Sequence, residues 1–446
     1  MRNDGIGRHE GLKIPWALSV GIFLLTLWIV FKGTYKYRME EYQSHILPNG
    51  LTVIHQQRDS KVSYCGVAVK VGSRDESAEQ YGVAHFVEHT IFKGTLRRKS
   101  WHILNCMESV GGELNAYTTK EETNVYSAFP SEYYPKAVDL LADLVCNSQF
   151  PQTELDKERD VVLDEIASYR DSPSEAVYDD FEDMIFAGSG LGHNILGTSE
   201  SLEQLNSREC MQFLSRHYRA DNMVFFSYGN IVFDKLCRLV EKQFLFRENA
   251  DGVVGTGCDH AGIDVVPFSK TVKLGNHQSH TIFGAKTFSM YDERRFALSV
   301  LNFMLAGPGM NSLLNVALRE KRGYVYTVES NATLYSDTGL LAIYFGCDAN
   351  HVSPCLRLIR HTLEDIANGK LTQHKLDAVK RQIVGQLLLS TENHENMALG
   401  LGKAMLNHRR VMSLQDTCEQ LSTVTREQIA TLSEQVLKNA SVLTLE

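Results

Sequence analysis

Hydrophobic and polar residues alternate along most of the chain in short blocks whose period switches between two and 3.6 residues. Leu51–Gln57, "LTVIHQQ", follows the turn Pro48-Asn49-Gly50 and predicts a strand. "YCGVAVKVG", from Tyr64 to Gly72, predicts a second, mostly apolar strand. "GGELNAYTTKEETNVYSAF" (Gly111–Phe129) is rich in Thr, Tyr and Val and predicts a strand pair. "PKAVDLLADLVCN" (Pro135–Asn147) and "QTELDKERDVVLDEIASYR" (Gln152–Arg170) carry apolar residues at i, i+3, i+4 and i+7, the pattern of amphipathic helices. "NMVFFSYGNI" (Asn222–Ile231) predicts a buried strand.

The plan then repeats, weakly. "HTIFGAKTFSMYDERRFALSVLNFML" follows "CGVAVKVGSRDESAEQYGVAHFVEHT" as strand, charged turn and helix. "KLDAVKRQIVGQLLLS" likewise resembles "ELDKERDVVLDEIASY". Between the copies, "ENADGVVGTGCDHA" (Glu248–Ala261) has no periodicity and reads as a linker, over 248–262. The expected organisation is a tail over 1–38, a first domain over 39–247 and a second over 263–446.

Ile14–Phe31 is uncharged between Lys13 and Lys32, with Trp16 and Trp28 near its ends. At about 1.5 Å per residue it nearly crosses a hydrocarbon layer of roughly 30 Å. No small-residue cleavage pattern follows, so a single-pass signal-anchor over 14–31 is expected. The alternative is a cytoplasmic, soluble chain whose translation starts at Met39.

Composition changes this picture little. The 446 residues are 43% hydrophobic and 22% charged, an ordinary globular balance with room for two domains. With a net charge of −9 and no clustering of acidic residues, nothing suggests a nucleic-acid footprint, which would want a basic face. Nine scattered cysteines without a CxxC pair argue for reduced thiols rather than a disulfide scaffold.

The chemistry concentrates in "GVAHFVEHTIFKGT", Gly82–Thr95. His85 and His89, four apart, share one helix face and can chelate one ion. Two imidazoles suit zinc and leave positions for a third ligand and a water. Glu88 projects beside them, where a carboxylate can take a proton from water acidified by the ion. A solvated surface helix is the competing reading. Val83, Ala84, Phe86, Val87, Ile91 and Phe92 oppose it, because a helix apolar nearly all round is buried and its histidines then need partners. Glu158 and Glu165, seven apart on the Gln152–Arg170 helix, are candidates for a third ligand, or two solvated glutamates. In the repeat, His85, Glu88 and His89 fall opposite Asn302, Leu305 and Ala306, and Glu165 falls opposite Gln386. A core helix therefore does not require the polar set.

These motifs resemble the inverzincin zinc peptidases of the pitrilysin and mitochondrial-processing-peptidase group, peptidase family M16, and are most similar to its small bacterial members with two homologous domains. The resemblance runs from about Tyr42 to the C-terminus. It implies an α+β fold: two homologous domains, each a mostly antiparallel sheet with helices on one face, closing as a clamshell around a chamber. It implies one zinc per chain held by His85, His89 and Glu165, with Glu88 as general base and Glu158 supporting the site. "GGELNAYT" matches the strand that holds substrate backbone, at Asn115 and Ala116. "LREKRGYVYTV" resembles the Arg-Tyr signature, which implies substrate contacts from Arg319 and Tyr326; without the resemblance these read as a surface arginine and a core tyrosine. "LAGPGMNSLL" looks like the glycine-rich loop near the domain junction, with Pro308 breaking the glycine run. The implied activity is a zinc metalloendopeptidase acting on short or unfolded peptides, and the implied assembly a homodimer. The alternatives are a heterodimer with a related subunit and a non-catalytic subunit of a processing-peptidase-like complex.

Overall fold

A computed structural model describes residues 42–246 and 266–446. In the first half the strands are β1 (Gln43–Ile46), β2 (Thr52–Gln57), β3 (Val62–Val69), β4 (Glu113–Thr118), β5 (Thr123–Pro130) and β6 (Met223–Gly229). Its helices are α1 (Val83–Thr90), α2 (Ser100–Glu108), α3 (Tyr134–Asn147), α4 (Gln152–Arg170), α5 (Pro173–Ile185), α6 (Ser199–Gln204), α7 (Ser207–His217) and α8 (Phe233–Gln243). The second half has β7 (Ser269–Val272), β8 (Ser279–Thr287), β9 (Val325–Leu334), β10 (Gly339–Cys347) and β11 (Ser441–Leu445). Its helices are α9 (Arg295–Ala306), α10 (Val352–Ala367), α11 (Gln373–Ser390), α12 (His394–His408), α13 (Leu414–Thr423) and α14 (Arg426–Asn439).

The repeat seen in the sequence is a repeat of topology. The first sheet runs β1-β2-β6-β3-β5-β4 and the second β7-β11-β8-β10-β9. Both contain one parallel pair, β2 with β6 and β7 with β11, followed by antiparallel pairs out to the far edge. β1 is an extra edge strand of the first sheet, fully exposed and without a sequence signal strong enough to predict it. The motif helix α1 follows β3 as α9 follows β8, so the two occupy equivalent places.

Each sheet buries one face under helices of its own half. In the first, Val53, Val67, Val69 and Val125 pack with Phe86 and Val87 of α1 and Leu141 and Leu144 of α3. Each such aliphatic side chain, fully buried, contributes roughly 1.5–3 kcal/mol. The other face of each sheet is covered by a helix from the opposite half, which the expectation of helices on one face did not include. Val177, Phe181 and Ile185 of α5 pack on Ile282, Tyr344 and Leu443 of the second sheet. Ala398, Leu401, Met405 and Leu406 of α12 pack on Ile54, Val224 and Phe226 of the first. Two glycines make the exchange fit: a Cβ at Gly284 would meet the Phe181 ring at 2.8 Å, and one at Gly402 would meet the Phe226 ring at 2.5 Å.

The membrane expectation is corrected. No helix among the described residues is long and apolar enough to cross a membrane. The two longest, α4 with 19 residues and α11 with 18, bury single stripes, Leu155, Val162 and Ile166 in the first, and are charged elsewhere. The span proposed over 14–31, the rest of the 1–38 tail and the whole 248–262 linker lie outside the described residues.

Candidate metal site

α1 begins at Gly82, whose φ of +93° suits glycine. Its apolar residues are buried on all sides, as the composition of the helix predicted: Val83, Ala84, Phe86 and Val87 are inaccessible to solvent. The polar residues emerge on the side facing α4. There His85, His89 and Glu165 each offer a ligand atom, all within 4.8 Å of one another. His89 Nε2 lies 3.5 Å and His85 Nε2 3.9 Å from Glu165 Oε2. Those separations are too long for good hydrogen bonds. They suit a shared ion, since tetrahedral bonds of roughly 2.0–2.2 Å put ligand atoms about 3.4 Å apart. The residues present therefore fit zinc.

The protonation states fit as well. Burial, and after it the neighbouring His89, holds His85 down at about 3, so its imidazole is neutral at pH 7. His89 Nδ1 donates to Glu158 Oε1 at 3.1 Å, which leaves the Nε2 lone pair directed at the cluster. Glu158 is itself fixed by Lys93 Nζ, 2.6 Å from Oε2. Burial pushes Glu88 above the usual carboxylate range, against the opposing pull of His89 and of a hydrogen bond from Thr118 Oγ1 to Oε2 at 3.2 Å. A carboxylate raised toward neutrality is a better proton acceptor at pH 7.

Asn115 and Ala116 sit in the middle of β4, paired with Tyr126 and Val125 of β5. β4 is the edge of its sheet, and Thr118 at its end reaches Glu88, so the free edge leads to the cluster. The structure puts Arg319 and Tyr326 elsewhere, in the second half. They line a cavity of about 540 Å³ with Asn302, Gly307, Pro308 and Glu329. Arg319 is carried by a π-helical turn, Asn315–Glu320, an uncommon geometry often found at functional sites. Tyr326 is 67% exposed, which corrects its reading as a core tyrosine. The glycine-rich loop joins the same cavity at the end of α9. Asn302, the counterpart of His85, also faces it, so equivalent places in the two halves hold different polar sets.

Sequence reasoning missed Thr118 and Lys93. Both are ordinary residues in sequence, and only folding brings them to Glu88 and Glu158.

The fold and this cluster together define a two-domain α+β protein with one set of candidate metal ligands, and comparison with known proteins gives its family. Residues 51–199 match the family description "Insulinase (Peptidase family M16)" and residues 204–383 match "Peptidase M16 inactive domain". An uncharacterized zinc protease of Mycobacterium leprae is 34% identical over 397 residues, 88% of this chain and 88% of that protein. One from Bacillus subtilis is 33% identical over 398 residues, 89% of this chain and 96% of its own length. Among solved structures, a protease from Helicobacter pylori superposes with a TM-score of 0.84 at 20% identity, over 92% of this chain and all of that one. The chain belongs to peptidase family M16.

Proposed function

We propose that the protein is a zinc-dependent metalloendopeptidase with one zinc per chain, its catalytic half within 39–247 and a substrate-binding half within 263–446. The observation that carries the proposal is the convergence of His85, His89 and Glu165 beside the half-buried carboxyl of Glu88. His85, His89 and Glu165 would hold the ion. When bound, zinc would supply Lewis acidity to a peptide carbonyl and to a water beside it. Glu88 takes a proton from that water and passes it to the leaving amine, while Thr118 fixes the orientation of its carboxylate. Glu158 keeps His89 in the tautomer that can ligate. An extended peptide adds as a strand to the edge of β4 past Asn115 and Ala116, gaining main-chain hydrogen bonds with little demand on sequence. Arg319 offers a rigid donor fork to peptide carbonyls, and Tyr326 a hydroxyl, from the second half.

The test is metal analysis of the purified chain with cleavage of a mixed peptide library, before and after chelation. The expected result is about one zinc per chain and hydrolysis that stops on chelation and returns with zinc. Hydrolysis indifferent to chelation would overturn the proposal. A zinc-loaded chain that cleaves nothing until a related subunit is added would favour the partner-dependent reading.

A further inference from the structure

The helix that presents His85 and His89 lacks a cap of its own. Gly82 at its N-cap has no side chain to accept from the first turn. The acceptor comes from Glu76, six residues upstream, whose side chain is wholly buried. Gly82 N and Ala84 N donate to its two carboxyl oxygens at 2.8 and 2.7 Å. His193 Nε2 lies 3.1 Å from one of the same oxygens, and the His193 ring stacks on Tyr81 at 3.7 Å. The socket is tight: a Cβ on Gly82 would meet Leu196 O at 2.7 Å.

Glu76 ends a segment stitched to the β4–β5 turn by Ser73 N to Thr119 O, 3.2 Å, and Arg74 N to Lys120 O, 2.8 Å. From that segment the buried Arg74 reaches the second half. Its Nη1 donates to Asp337 Oδ1 at 2.7 Å and to Glu121 Oε1 at 2.5 Å, and its Nη2 to Asp337 Oδ2 at 2.5 Å. Glu121 also accepts from Ser336 N at 2.9 Å and Ser336 Oγ at 2.6 Å. Ser336 and Asp337 form the turn between β9 and β10. The Arg74 ion pairs to a turn of the second half and the Glu76 bonds to the first residues of the metal helix are thus joined through two residues of backbone.

We propose that Glu76 is a positioning residue for the His85–His89 pair, and that Arg74 and Asp337 tie this clamp to the second half, so that the seating of one half sets the ligand geometry in the other. The proposal rests on the metal reading above. Glu76 acts through the helix: it fixes the backbone at Ala84, next to His85, and places an acceptor where the helix dipole favours one.

The test uses the full chain and the variants Glu76→Gln, Glu76→Ala and Asp337→Ala. Zinc affinity is measured by competition with a chromophoric chelator, and ligand geometry by the visible absorption of the cobalt(II)-loaded protein. Glutamine turns an amide NH2 toward a backbone N–H. Supporting partners of metal ligands typically matter by about 10- to 100-fold in affinity, and losses in that range are expected for the Glu76 variants, with altered cobalt bands and unchanged far-UV circular dichroism. Asp337→Ala is expected to weaken zinc several-fold in the same direction. Glu76→Gln with unchanged affinity and cobalt spectrum, even with a lowered Tm, would make the residue merely structural and overturn the proposal. Asp337→Ala indistinguishable from the parent would overturn the tie to the second half. Glu76 variants that fail to fold would likewise make that residue structural and overturn its positioning role, and Asp337→Ala, whose side chain is on a partly exposed turn, still decides the tie. A parent chain that takes up neither zinc nor cobalt overturns the metal reading itself, and the proposal with it.

Discussion

Helices α1 and α9 stand at the same point of two copies of one topology, yet only α1 carries a chelating set. Both bury most of their length: Val83, Ala84, Phe86 and Val87 in one, Leu298, Val300, Leu301, Met304 and Leu305 in the other. Where α1 has His85, α9 has Asn302, whose Oδ1 accepts from Ser330 Oγ at 2.6 Å. Where α1 has Glu88, α9 has Leu305, inaccessible to solvent. The fold needs an apolar helix at this place and nothing more. The polar residues of α1 work against folding, as the upward push of burial on Glu88 and its downward push on His85 both register. On the proposed function, their presence serves chemistry rather than stability.

The largest effect is expected from erasing the difference. The triple variant His85→Asn, Glu88→Leu, His89→Ala gives α1 the residues of α9 at the matching places. It should bind no zinc, cleave no peptide and unfold at an equal or higher Tm. Calorimetry and metal analysis check this, and a collapse in Tm would mean that the polar set serves the fold after all. Glu88→Gln isolates the base. Zinc content should stay at the parent level while kcat/KM falls by about 10²–10⁴, the usual worth of general acid–base catalysis; single-turnover peptide assays read it. Glu158→Gln should weaken zinc about 10- to 100-fold through the orientation of His89, read by chelator competition. The smallest effect belongs to Thr118→Val. Thr118 donates to Glu88 and holds it lower than burial alone would. Without it Glu88 rises further, and because the base must be ionised, the acidic limb of the kcat/KM profile should move to higher pH. A limb that stays put or moves down would remove Thr118 from the mechanism.

Much of this comparison was legible in the chain itself. The pattern predicts Gln152–Arg170 as a helix with the bounds of α4, and the paired blocks of the two halves predict α1 and α9 as counterparts. Local periodicity encodes both. Register and partner choice are not local. The β3 strand runs from Val62 to Val69, earlier than its apolar run suggests, because its neighbours β5 and β6 fix where pairing ends. Glu76, Lys93 and Thr118 carry no signal until distant backbone closes on them. An amphipathic stripe announces that α5 must bury Val177 and Phe181, but it does not say that the receiving sheet belongs to the other half.

That exchange of α5 and α12 makes the two halves mutual chaperones rather than separable modules. Either half alone would leave one face of its sheet, with Ile54, Val224 and Phe226 or with Ile282, Tyr344 and Leu443, open to water. A break in the chain between Phe246 and Val266 should therefore yield two fragments that co-purify and complement one another. Each fragment produced alone should be aggregation-prone. Gel filtration of the nicked protein reads this directly, and fragments that elute separately as folded monomers would show that each sheet can do without its borrowed helix.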